Sequence, residues 1–86
     1  MPPQAAPATV TVRYWAGARA AAGVDSDTVS GCATVGDAMR EVNRMHPALE
    51  PVTAVSSLLV GGLPADRDAA LGPDAVVEVL PPFAGG

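Results

Sequence analysis

Thr9-Val10-Thr11-Val12-Arg13-Tyr14 alternates strictly between polar and apolar residues, placing Val10, Val12 and Tyr14 on one face and Thr9, Thr11 and Arg13 on the other. A period of two predicts a half-buried β-strand. Trp15 continues the alternation on the polar side. Gly17 to Ala22 is alanine-rich with Arg19 inside and is closed by Gly23, which suits a short helical turn with a glycine stop. Asp25 to Ser30 is a more polar strand, best placed at a sheet edge and pairing with the first as a hairpin. The period then changes: Val35, Ala38, Met39, Val42 and Met45 recur at steps of three and four, the stripe of a helix packed on a sheet. Thr34 is its expected N-cap with Asp37 at N3, and Pro47 its stop. Asp37, Arg40, Glu41 and Arg44 form the solvated side.

Beyond the helix comes a loop through Pro51. Ser57-Leu58-Leu59-Val60 has strand character, Gly61-Gly62 turns it, and Leu63-Pro64-Ala65 is a short continuation. Asp66 to Leu71 is a connecting segment and Gly72-Pro73-Asp74-Ala75 a turn. Val76-Val77-Glu78-Val79-Leu80 is apolar enough to occupy a central position in a sheet. Strand, strand, helix, strand, strand, with one helix stripe to cover one sheet face, is a two-layer α+β domain. The long helix-bearing connection lets the first and last long strands lie side by side and parallel, which is the β-grasp arrangement of a mixed sheet covered by one main helix. Residues 1–7, with three prolines, form a disordered leader, 8–80 the domain and 81–86 a flexible tail.

At 86 residues the chain is one domain with little room for a catalytic cleft beside its core. The formal net charge of -4, with no lysine beside five arginines and no basic cluster, argues against nucleic acid or an anionic membrane as partner. Cys32 is the single cysteine, which excludes an internal disulfide or a thiolate cluster and fits a reducing, cytoplasmic setting. Neither Cys32 nor His46, the sole histidine, has neighbours at metal-ligand spacing, so both read as incidental to chemistry. No segment has the length of a membrane span and residues 1–7 are no secretory signal.

The sequence ends Pro81-Pro82-Phe83-Ala84-Gly85-Gly86. The prolines cannot donate to a sheet ladder, so they end the preceding strand and direct the last residues away from the body. The glycines, without Cβ, fit a narrow channel. A terminal carboxylate is a poor electrophile until it is adenylated, after which sulfur, nitrogen or oxygen can accept the acyl group. Phe83 offers a bulky anchor.

Trp15-Ala16-Gly17-Ala18-Arg19 with Gly23, the Thr34-Val35-Gly36-Asp37 helix start, Leu59-Val60-Gly61-Gly62 with Pro64, and the run from Leu71 to Gly86 together resemble the small, sulfur-carrying subunit of molybdopterin synthase. The resemblance implies a ubiquitin-like β-grasp fold and a cycle run by partners. An adenylating enzyme using ATP activates the Gly86 carboxylate, and a sulfur donor converts it to a thiocarboxylate. The tail then enters the large synthase subunit, which carries the catalytic groups, and its sulfur builds the dithiolene that holds molybdenum. The small subunit itself binds no cofactor or metal. By the same resemblance Gly86 is the reacting residue and Pro81, Pro82, Phe83, Ala84 and Gly85 its tail, while Trp15, Leu80 and Arg19 face partners. Gly61, where relatives often carry asparagine, Ala20, where an acidic residue is common, and the leader depart from the pattern. A carrier for thiamine thiazole or cysteine synthesis, a ubiquitin-like protein modifier, and a plain binding module with an idle tail are the competing functions.

Overall fold

The computed structural model describes residues 8–82. The leader, residues 1–7, and Phe83, Ala84, Gly85 and Gly86 lie outside the described residues. The elements run β1 (Thr9–Tyr14), α1 (Ala16–Ala22), β2 (Ser26–Ser30), α2 (Val35–Met45), a 3-10 turn (Pro47–Leu49), α3 (Glu50–Thr53), β3 (Ser57–Val60), β4 (Leu63–Pro64) and β5 (Val76–Leu80). They build one mixed sheet in the order β2-β1-β5-β3-β4. β1 and β5 are parallel, with Val12 opposite Val77 and Tyr14 opposite Val79. The other pairings are antiparallel. The expected α+β β-grasp topology is therefore present, with β2 at an edge and β5 at the centre.

The alternation of β1 sets the two faces. Val10, Val12 and Tyr14 are buried, as are Val77 and Val79 of β5, Val29 of β2 and Leu58 of β3. Onto them α2 lowers Val35, Ala38, Met39 and Val42, each fully buried. Removing a side chain such as Val, Leu or Met from water contributes about 1.5–3 kcal/mol, so this one layer of contacts is the main source of stability.

Helix α2 starts where the sequence places it, and every early amide has a partner. Thr34 Oγ1 accepts from the Asp37 amide, and Asp37 Oδ2 accepts from the Thr34 and Ala33 amides, a complete capping box. The Val35 and Gly36 amides, which no helical carbonyl can reach, donate to Ala69 and Arg67 carbonyls at 3.0 and 2.8 Å. The aperiodic connection from Asp66 to Leu71 is thus held by the helix start, and Leu71 and Ala69 pack on the core.

Two expectations require correction and a third gains a partner. Met45 does not complete the apolar stripe and is 38% exposed. At 100° per residue it falls well off the line of Val35 and Val42, whereas position 46 returns to it. The stretch through Pro51 is not a plain loop: the 3-10 turn and α3 occupy it, and Leu49 is fully buried. His46 is helix-terminal and partly exposed as expected, and it is also bonded to Asp27, a partner the sequence reading did not name.

Candidate functional site

Among the described residues the helices lie on one side of the sheet, and no element covers its other face. It carries the outward residues of the central strands. β5 contributes Val76, Glu78 and Leu80, β1 contributes Thr11 and Arg13, and β3 contributes Leu59, opposite Glu78. Trp15 follows β1 in an extended conformation, and its amide still donates to the Val79 carbonyl at 3.2 Å. Because Tyr14 is level with Val79, Trp15 comes level with Leu80 and both point outward. Trp15 is 39% exposed and Leu80 is half-buried. Pro81 and Pro82 leave the sheet directly beyond them.

Trp15 is tethered. Its indole Nε1 donates to Glu78 Oε2 at 3.0 Å, and the Arg13 guanidinium carbon stands 5.2 Å from the ring centroid, within cation–π range. Ala16, the next residue, has a φ of 47°, a left-handed conformation that non-glycine residues rarely take. Glu78 and Arg13 were not among the residues singled out from the sequence. Both alternate onto the same outward face as Trp15, but alternation alone does not mark either of them as its partner. Arg19 lies elsewhere, on the exposed side of α1, with Nη1 3.7 Å from Asp25.

A second polar cluster lies under the helices. Asp27 follows the register of Val29 and so points inward, opposite Val12. Its Oδ2 accepts from the Tyr14 hydroxyl at 2.8 Å and from His46 Nε2 at 2.7 Å. Burial, followed by the Asp27 hydrogen bond, pushes the Tyr14 phenol well above its usual range. A carboxylate can only accept, so Nε2 carries the proton in this arrangement. The cluster ties β1, β2 and the end of α2 together.

Other features offer less. An open groove of about 370 Å³ is lined by Ser56, Ser57, Pro64, Asp66 and Arg67, but Arg67 Nη2 already donates to the Thr53 carbonyl at 2.8 Å. Burial pushes the Cys32 thiol up, with the negative charges of Asp37 and Glu41 adding to it, which is the opposite of an activated thiolate. Among the described residues no group of His, Cys, Asp and Glu side chains is placed to hold a metal, and no helix is long and apolar enough to cross a membrane.

The geometry therefore provides a folded body whose last strand passes into Pro81 and Pro82 beside an exposed aromatic. The ThiS family model matches residues 12–86, nearly the whole chain. The chain belongs to the ThiS family. A comparison with curated protein sequences finds no match. Among solved structures, small archaeal modifier protein 1 of Haloferax volcanii is 27% identical with a TM-score of 0.78, covering 87% of this chain and 98% of that one. A Pyrococcus furiosus protein assigned as molybdopterin converting factor subunit 1 is 28% identical with a TM-score of 0.78 and the same coverages. The complex of subunits 1 and 2 of molybdopterin-converting factor from Helicobacter pylori contains a chain 18% identical, with a TM-score of 0.68, covering 91% of this chain and 99% of that one, a likeness of fold. This ThiS-family chain thus has the β-grasp architecture common to those converting-factor subunits and to the archaeal modifiers.

Proposed function

We propose that this chain is a sulfur carrier whose Gly86 carboxylate is adenylated and then converted to a thiocarboxylate, and that it serves as the non-catalytic small subunit of a molybdopterin synthase. The observation that carries the reading is the course of β5. The strand is locked between two neighbours, ends at Leu80, and passes into Pro81-Pro82 ahead of Gly85-Gly86, within a family match that extends to residue 86.

The chemistry needs nothing catalytic from the body. An adenylating enzyme joins the carboxylate to the α-phosphate of ATP and releases pyrophosphate. Hydrosulfide, or a persulfide whose S–S bond a thiol then reduces, displaces AMP at the activated carbonyl and leaves the thiocarboxylate, and a large subunit holds the tail while the sulfur passes to the pterin precursor and water restores the carboxylate. The body supplies a rigid handle and a face by which each partner recognises it.

The similarity to archaeal modifier proteins supports a second reading, in which the activated Gly86 acyl group is joined to amines of other proteins. One experiment separates the two. Intact mass of the chain is followed after incubation with ATP, the adenylating enzyme of its own host and a sulfur donor. Exchange of one oxygen for sulfur, reversed on adding the large subunit and pterin precursor, supports the synthase role. High-mass conjugates that disappear on Gly86 deletion support the modifier role. A chain that never changes mass overturns both.

A further inference from the structure

The tether on Trp15 is not explained by the core or by the tail chemistry. The ring stands outside the buried layer, and Glu78 and Arg13, which hold it, are register partners on adjacent parallel strands. A free surface tryptophan samples several rotamers, and a partner that binds one of them must first select it. Here the selection is made in advance. The indole N–H is directed to Glu78 Oε2, the ring face is turned to Arg13, and the backbone beyond it is fixed by the left-handed Ala16.

We propose that Glu78, assisted by Arg13, is a positioning residue that holds Trp15 in the orientation in which the chain docks on its adenylating enzyme. The inference rests on the sulfur-carrier reading. The occupant follows from location. Trp15 is level with Leu80, the last strand residue before Pro81, so an enzyme that receives the tail also covers the sheet surface beside Pro81, and in the proposed cycle the adenylating enzyme is the first to do so. It would meet the ring with an apolar pocket flanked by Leu80 and Leu59. Glu78 acts through the indole, and its effect is on binding rather than on reaction at Gly86.

The test is ATP–pyrophosphate exchange by the host adenylating enzyme with the full chain as varied substrate, combined with fluorescence anisotropy of Trp15, the only tryptophan. Releasing one ordered aromatic side chain weakens association by roughly 3- to 10-fold. Glu78→Ala is expected to raise KM by that factor with a much smaller change in kcat, and to lower the Trp15 anisotropy. Glu78→Gln, which keeps an acceptor oxygen, is expected to recover most of both. In a Trp15→Ala background, Glu78→Ala should add nothing further. An unchanged KM with a mobilised indole overturns the proposal, as does an equal KM rise in Glu78→Ala and Glu78→Gln with the indole still fixed, which would put the Glu78 charge in direct contact with the enzyme. Absence of exchange with the unaltered chain overturns the sulfur-carrier reading itself and this inference with it.

Discussion

At the residue scale, stability rests on a few polar groups whose partners are fixed by register. The Ala33 and Thr34 amides hold the Asp37 carboxyl below the usual carboxylate range. The unfolded chain therefore binds this proton more readily than the folded one as pH falls. The contribution is present above about pH 4 and is lost as pH drops through the folded value. Asp37→Asn should flatten the acid limb of stability against pH, measured by thermal melts between neutral pH and about pH 3. Tyr14 has the opposite sign. Its phenol is pushed up, so its contribution is complete below about pH 10 and is lost as pH rises beyond it. Asp27→Ala, which leaves the buried Tyr14 hydroxyl without its acceptor, should cost about 1–3 kcal/mol in chemical denaturation. Asp27 was readable in principle: two residues before Val29 in a strand, it had to face the core. Finding His46 as its partner needed the helix phase carried one residue past Met45.

At the element scale, the strongly periodic segments were legible. β1, α2 and β5 stand where alternation, a capping box and an apolar run place them, and the edge position of β2 follows from its polarity. Gly61 and Gly62 both adopt positive φ in the two-residue turn between β3 and β4. Asparagine also tolerates that conformation, so an asparagine at position 61 would fit the same turn. The segment from Pro47 to Thr53 was not legible, because two turns of different helical pitch show no sustained period. Its weight is nonetheless considerable. Leu49→Ala removes a fully buried side chain and should cost about 2–5 kcal/mol, read from the denaturation midpoint.

For the whole molecule, the candidate site was legible only in its ends. Trp15 and Leu80 share the open face, as their alternation implies, and Arg19 lies apart on α1. Glu78 and Arg13 were missed because a charged residue on an outward strand face has no local signal that distinguishes a solvated group from one holding a neighbour. The tail residues Phe83 to Gly86 lie outside the described residues, whose strands are complete at Leu80. On the proposed sulfur-carrier reading, deleting Gly85 and Gly86 should leave the thermal midpoint essentially unchanged while abolishing sulfur loading, checked by calorimetry beside intact mass. A large drop in the midpoint would make the tail part of the fold.

The central position of β5 also has a consequence in time. β1 and β3 have no direct contact in the ladder until β5 enters between them, so the sheet remains two separate hairpins while the ribosome makes the residues before Val76. Such non-local pairing is slow to form and cannot be anticipated by local structure. A chain interrupted before β5 therefore lacks the strand that joins its two hairpins. Completion of the sheet therefore marks that translation has passed Leu80, and a product truncated before that strand presents no assembled sheet face.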